Sequence, residues 1–281
     1  MKDSRRKGRA RELSPAAVIS LIFIILVITI AAASTYWPRV SEVDIWIPDL
    51  PVELDGIRIL HLSDLHSSSG ANLSVDIPGA LHDRSFDLAC ITGDFVDGEL
   101  AQLPPVVDLV EKIARRTPVI TVLGNHDWEA GGRHVIAELE YAGSANLENA
   151  STSVVFDGFE LRVVGVSDAY SGYHDVDEAY AKARGVFTLT LTHDPRVFEE
   201  ISGTHRSLVL AGHTHGGQIR LPLLPTLYAP GAGFLPKYGD GIYREGEAVM
   251  YVSRGIGATG PFPLRFWNRP EITILTLRCG E

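Results

Sequence analysis

Five short runs rich in valine, isoleucine and leucine each end in a cluster of polar, metal-binding side-chain types, and this recurrence constrains the fold most. Residues 57–62 run into Ser63-Asp64-Leu65-His66, and 88–92 into Gly93-Asp94-Phe95-Val96-Asp97-Gly98. Residues 119–123 lead to Gly124-Asn125-His126-Asp127, and 186–192 to His193-Asp194-Pro195. Residues 208–211 lead to Gly212-His213-Thr214-His215-Gly216-Gly217. Short apolar β-branched runs bounded by glycine and polar residues read as buried strands.

Helical periodicity fills some of the gaps, over 104–116, 132–142, 176–184 and 195–201, with Pro105 and Pro195 near helix starts. Asp157-Gly158 between the apolar runs 154–156 and 159–164 predicts a two-residue hairpin. Two further strands are expected at 248–252 and 271–277. Crossover helices mixed with hairpins imply an α/β chain of two packed mixed sheets with helices on the outer faces. Ligands in such folds gather beyond the carboxyl ends of the strands, where all five clusters lie.

Taken singly, the clusters are ambiguous. Asp64 and His66, two apart at a strand end, project to one side and suit a metal, but D-x-H is also an ordinary polar loop. Asp94 suits a bridging carboxylate or a helix N-cap equally. His193 at the end of an apolar strand reads as a ligand or as a hydrogen-bonded core histidine. Asn125-His126-Asp127 has no packing role, and His213 and His215 flanked by glycines point to metal even alone. Together they decide the matter: five of the ten histidines fall at these strand ends, and that distribution predicts a metal site.

Thiolate chemistry is not expected. Cys90 lies in an apolar run and Cys279 almost at the C-terminus, with no C-x-x-C pair, so neither a disulfide framework nor a zinc-thiolate site is predicted. Residues 1–12 carry six bases and two acids and sum to +4, against −10 for the chain, so the rest carries −14. A body this acidic repels phosphate backbones and argues against general nucleic-acid binding.

No charge appears between Glu12 and Arg39, and 16–33 is interrupted only by Ser20 and Thr29. About 20 residues at 1.5 Å each span a hydrocarbon core of roughly 30 Å. The chain therefore divides into a basic tail (1–14), a transmembrane anchor (15–37) and a catalytic domain (38–281). The preceding basic cluster keeps the N-terminus cytoplasmic and places the domain outside, with Tyr36 and Trp37 in the outer aromatic belt. The rival reading is a secretory signal cleaved near Ala31-Ala32-Ala33, giving a secreted protein, although the apolar region exceeds the usual length. Ser4-Arg5-Arg6 is only a weak twin-arginine signal, since Lys7-Gly8-Arg9 follows it.

In this order D-x-H, G-D-x-x-D-G, G-N-H-D, a lone histidine and G-H-T-H resemble the calcineurin-like metallophosphoesterase superfamily. Leu54-Asp55-Gly56-Ile57-Arg58-Ile59, Gly216-Gly217-Gln218-Ile219-Arg220-Leu221-Pro222 and Ser253-Arg254-Gly255-Ile256-Gly257 look like its bacterial membrane-associated or exported branch. Pro263-Leu264-Arg265-Phe266 and Arg269-Pro270-Glu271-Ile272 do so too, and the likeness runs over about 43–277. Relatives in that branch include phosphodiesterases, enzymes that cleave UDP-2,3-diacylglucosamine, and cell-wall-associated hydrolases.

The resemblance implies a four-layer α/β/β/α sandwich with a dinuclear centre. Asp64, His66 and His215 would hold one metal, Asn125, His193 and His213 the other, and Asp94 would bridge them. Oxygen and imidazole donors favour Mn²⁺, Fe or Zn²⁺ over Cu(I) or Ca²⁺. Such a pair clamps phosphoryl oxygens and activates water for in-line attack. His126 would serve the leaving oxygen, and Asp97 would orient His126 unless it is only a turn residue before Gly98.

The substrate expected is a phosphate ester, a diester before a monoester, lipid-linked or of the envelope. A non-catalytic binding protein on the same fold is the alternative. A peptidase is disfavoured because H-E-x-x-H is absent. Arg254 and Arg265 would pair with phosphate oxygens or form structural ion pairs. The segment 221–238, lacking periodicity, would be a lid, a lipid-facing flap or a plain covering loop.

Overall fold

The computed structural model describes residues 14–67, 75–217, 219–220, 224, 226–229, 231–259 and 265–280. The basic tail with its twin-arginine pattern, Gln218, Leu221-Pro222 and Pro263-Leu264 of the quoted motifs, and 221–223, 225 and 230 of the aperiodic segment lie outside them.

The chain begins with α1 (Pro15–Tyr36), started by the Ser14 side chain accepting the Ala17 N–H at 3.2 Å and by Pro15 in the first turn. Most of its apolar side chains face outward all round the helix, among them Ile19, Phe23 and Ile28. A helix apolar on every face belongs in a core or a bilayer, and the described residues leave the apolar span of this one uncovered. Only Ser34 and Thr35, at its C-terminal end, are buried.

The first sheet holds six strands in the order β1-β14-β2-β3-β4-β5. These are β1 (Arg39–Ile47), β2 (Arg58–Leu62), β3 (Leu88–Thr92), β4 (Val119–Val122), β5 (Ser144–Asn146) and β14 (Glu271–Cys279). All neighbours run parallel except β14 against β2. The second sheet runs β12-β13-β9-β8-β7-β6, from β6 (Ala150–Phe156), β7 (Phe159–Val166), β8 (Thr188–Thr192), β9 (Ser207–Ala211), β12 (Gly241–Glu245) and β13 (Ala248–Val252). Its two outer pairs are antiparallel and the rest parallel. The hairpin expected at Asp157-Gly158 joins β6 to β7, with Phe156 opposite Phe159.

One apolar core lies between the sheets, with Ile59, Cys90, Leu189, Leu208 and Leu275 within it. A second packs α3 (Pro104–Ala114) and α4 (Asn125–Tyr141) on the first sheet through Val106, Leu109, Val135 and Leu139. A third packs α5 (Val176–Ala179) and α6 (Phe198–Ser202) on the second sheet through Ala179, Phe198 and Ile201. The result is a four-layer α/β/β/α sandwich, completed by a short α2 (Ile77–Ala80) and a small hairpin of β10 (Tyr228–Ala229) and β11 (Gly233–Phe234). Truncating any of the fully buried leucines to alanine would cost about 2–5 kcal/mol.

Several element bounds differ from expectation for identifiable reasons. α4 begins at Asn125 rather than 132, because Asp127 accepts the Gly124 N–H and caps it, while Gly131 in left-handed backbone (φ 104°) kinks it. The helix expected over 176–184 stops at Ala179. Tyr180 instead turns inward and its hydroxyl meets Thr190 Oγ1 at 2.5 Å. β1, β5 and β12 were not among the expected strands.

Candidate metal centre

The ligand-type residues all sit just past strand ends. Asp64 and His66 follow β2, Asp94 follows β3, Asn125 and His126 open α4 after β4, His193 follows β8, and His213 and His215 follow β9. Asp64, His66, Asp94, His213 and His215 are held in left-handed backbone, with φ between 40° and 69°. That region is costly for a residue with a Cβ. Asp64 and His66 therefore reach one site through two sharp turns, not through the alternation of a continuing strand. Close backbone approach helps: a Cβ on Gly93 would run into the backbone N of Gly124, so two ligand loops touch there.

Three groups of donor atoms result, each mutually within 4.8 Å: Asp64, His66 and His215; Asp94, His193 and His213; and His66, Asp94 and His126. His66 Nε2 lies 3.5 Å from Asp94 Oδ2, His193 Nε2 lies 3.2 Å from the same oxygen, and His215 Nε2 lies 3.6 Å from Asp64 Oδ1. Asn125 is buried next to His126 in the chain, and its Oδ1 has no hydrogen-bond partner among the described residues.

This donor set suits divalent cations. Asp64 and Asp94 are buried, and among the described residues neither forms an ion pair with lysine or arginine. A buried carboxylate without a countercharge is costly. Two pairs of imidazole nitrogens face one another at 3.1 Å, His66 Nε2 with His215 Nε2 and His213 Nδ1 with His193 Nε2. The Thr92 carbonyl accepts from His193 Nδ1 at 2.7 Å, which leaves the Nε2 lone pair directed into the site. No thiolate is near: Cys90 is in the core between the sheets, and burial pushes its thiol up.

Charge within the cluster is finely opposed. Burial works against charge on His193 and His66, but Asp94 on the first and the Asp97 hydrogen bond and Asp94 on the second raise both. His215 goes the other way, lowered well below its usual value by burial, then by His66 and Arg265. Burial, and then Asp94, push the Asp127 carboxyl up to about 7, although it accepts the N–H groups of Phe95 (2.8 Å), Val96 (3.2 Å) and Gly124 (2.9 Å).

Residues 57–217, over half of the chain, match the calcineurin-like phosphoesterase family. The chain belongs to the calcineurin-like phosphoesterases. It is 32% identical over 226 residues to the phosphodiesterase YaeI of Escherichia coli (strain K12), covering 78% of this chain and 82% of that one. It is 30% identical over 236 residues to the uncharacterised metallophosphoesterase YkuE of Bacillus subtilis (strain 168), covering 82% of each. A Danio rerio transmembrane protein with a metallophosphoesterase domain is 28% identical over 294 residues, which cover 96% of this chain and 64% of that one.

As a calcineurin-like phosphoesterase the protein is a hydrolase, and its remaining polar residues acquire a context. The His126 ring is partly exposed at the rim, and its backbone N–H donates to Asp94 Oδ1 at 3.0 Å. Asp97 lies nearer to His66 than to His126: its Oδ1 is 3.2 Å from His66 Nδ1 and 3.7 Å from His126 Nδ1. It also accepts from Thr259 at 2.8 Å, and the His66 hydrogen bond above all holds its carboxyl down to about 2.

Arg265 in this phosphoesterase is fully buried, which rules out an open phosphate contact for it. Its guanidinium donates to the carbonyls of Gly257 and Arg254 (2.9 Å) and lies 3.3 Å from His215 Nδ1. Arg254 pairs with Asp240 at 2.8 Å. Sequence reasoning missed Asn268, whose amide donates to the carbonyls of His215 (2.6 Å) and Gly217 (3.3 Å), and Tyr170, whose ring lies tilted 5.4 Å from the His213 ring. Nothing local in the chain signals either contact.

Proposed function

We propose that this phosphoesterase is a membrane-anchored phosphodiesterase with a dinuclear centre. Asp64, His66 and His215 would hold one cation and Asn125, His193 and His213 the other, with Asp94 available to both. The observation that carries the reading is the convergence of Asp64, His66, Asp94, His193, His213 and His215, from both sheets and together with His126, into overlapping groups within 4.8 Å. When bound, two divalent cations supply charge for the phosphoryl oxygens and lower the pKa of water.

The chain's own residues do the rest. Thr92 fixes the tautomer of His193, and Arg265 and Asn268 hold the His215 turn. His126, partly exposed at the rim, is placed to give a proton or hydrogen bond to the leaving oxygen. Asp97 steadies both His66 and His126.

α1 is long and apolar enough to cross a bilayer. With the basic cluster before it, the positive-inside rule puts residues 38–281 on the outer face, as a separate catalytic domain. The likeness to a transmembrane relative supports anchoring, and the likeness to YaeI supports a diester. A site tied to a membrane helix is served best by a lipid-linked or envelope phosphodiester.

The test uses the full chain in detergent, because Ser34 and Thr35 hold part of the domain. It is stripped of metal, reloaded with Mn²⁺, and assayed on bis-p-nitrophenyl phosphate and p-nitrophenyl phosphate. Faster metal-dependent cleavage of the diester is expected. Faster cleavage of the monoester would make it a phosphatase, and metal binding without turnover of either would favour a binding protein.

A further inference from the structure

The C-terminal end of α1 is joined to the loop that covers the metal centre. Ser34 Oγ accepts the Trp267 N–H at 3.0 Å, and Thr35 Oγ1 accepts the Arg265 N–H at 2.9 Å. The Arg269 guanidinium donates to the carbonyls of Trp37 and Pro38, both at 2.8 Å. Asn268 then ties this loop to His215 and Gly217, and the Arg220 N–H donates to Phe266 O at 2.9 Å.

The β10–β11 hairpin packs on the 213–217 turn that this loop holds. A Cβ on Gly217 would meet the Thr226 side chain and the Tyr228 carbonyl, and one on Gly231, between the two strands, would run into the His213 ring. The inner side of the hairpin therefore lies against a proposed ligand.

Its outer side is apolar and open. Phe234 is 84% exposed, Leu235 67%, Trp267 50% and Tyr228 49%. The Tyr228 and Phe234 rings pack together at 5.1 Å, and the Leu235 N–H donates to Leu227 O at 2.9 Å, so the exposed group is ordered. Leu235 (φ 48°) and Trp267 (φ 55°) hold their outward positions in left-handed backbone, a costly conformation for either. Contiguous exposed apolar groups of this kind mark interaction surfaces.

We propose that the β10–β11 hairpin and Trp267 dock into the headgroup region of the bilayer that holds α1, so that a lipid-borne phosphoester meets residues 213–217 directly behind the docked face. The proposal rests on the anchoring read above. The occupant is the bilayer because exposed Trp267 is bonded to Ser34 at the end of α1, and its loop is tied through Asn268 to the 215–217 turn on which the hairpin packs. Its content of tryptophan, tyrosine and phenylalanine beside Tyr36 and Trp37 is what a membrane interface takes. With the helix end bonded to the domain, the patch has little freedom to leave the surface.

The test places an environment-sensitive nitrobenzoxadiazole label on Phe234→Cys in the full chain, with Cys279→Ser as background, in phosphatidylcholine–phosphatidylglycerol nanodiscs. Tyr141→Cys, from an 84% exposed position at the end of α4, is the reference. Headgroup-proximal doxyl lipids should quench the label at 234 about two-fold and leave that at 141 unaffected. Equal access of aqueous iodide to both labels, without lipid quenching, would overturn the proposal. A blue shift at 234 without lipid quenching would overturn it too, in favour of a protein partner.

A second arm uses Phe234→Asp with Leu235→Asp. It should lower turnover of a bilayer-embedded p-nitrophenyl phosphodiester lipid about ten-fold and leave bis-p-nitrophenyl phosphate unchanged. Equal rates on the lipid would overturn lipid presentation. Inactivity of the unmodified chain on every diester would sink the phosphodiesterase reading, while the quenching result would still decide the docking.

Discussion

The Arg265 guanidinium ends 3.3 Å from Nδ1 of His215, while the backbone of Arg265 is bonded to Thr35 at the end of α1. One buried residue thus links a proposed metal ligand to the long apolar helix α1. Burial opposes its charge and lowers its pKa to about 10, and the carbonyls of Gly257 and Arg254 take up its other donors.

Replacing Arg265 by methionine keeps length and removes the fork of donors. Two buried carbonyls then lose their partners, and stability should fall by about 2–4 kcal/mol. The affinity for Mn²⁺ should weaken about ten-fold or more, in line with loss of a support behind a ligand. Thermal unfolding of the apo protein and calorimetric Mn²⁺ titration measure the two effects separately. Unchanged affinity would leave Arg265 a purely structural residue.

His126 and Asp97 should separate in their effects. His126→Ala is expected to keep its metal content and lose about 10²-fold or more in turnover. Asp97→Asn should weaken metal binding as well, because its carboxylate lies closer to His66 (3.2 Å) than to His126 (3.7 Å). Metal analysis alongside bis-p-nitrophenyl phosphate kinetics decides it, and unchanged turnover in His126→Ala removes that residue from the mechanism.

Two glycines of the same hairpin provide a matched pair. Gly231 (φ 74°) and Gly233 (φ 80°) are both left-handed, so alanine at either should cost about 1 kcal/mol. Only at Gly231 would the new Cβ meet the His213 ring, whereas nothing lies near it at Gly233. Gly231→Ala alone should therefore weaken Mn²⁺ binding. Equal binding by the two variants would place the His213 ring free to move aside.

Glu148 supplies a pH signature away from the metal ligands. Burial raises its carboxyl from 4.5 to about 7, even though its Oε1 accepts the Leu123 N–H at 2.8 Å. The folded state then holds a proton that the unfolded state has released, so stability falls as pH rises from about 4.5 to about 7. Glu148→Gln should remove that slope and be more stable than the parent at pH 8 by about 1–3 kcal/mol, with near equality at pH 5. Denaturant unfolding of both forms at the two pH values provides the check, and parallel curves would refute it.

The sequence by itself determined where the chemistry lies. Apolar runs that stop abruptly in Asp64, Asp94, Asn125, His193 and His213 place these residues at strand ends, because an unpaired polar side chain is costly in the apolar core between the sheets and so ends the buried run. It also determined the apolar span 16–33 and the Asp157-Gly158 turn, which depend on neighbours a few residues away. The alternation in β1 was present too, as its buried Ser41, Ile45 and Ile47 show, but an edge strand pairing with residues over 230 positions later has no local signature.

Only the tertiary structure decided how the pieces meet. It gave Asp97 chiefly to His66, buried Arg265 behind His215, brought Asn268 under the 215–217 turn, and seated Gly231 on the His213 ring. These contacts join residues 18 to 53 positions apart. They depend on sheet register and on the close approach of loops, which packing of the two sheets sets and spacing along the chain does not.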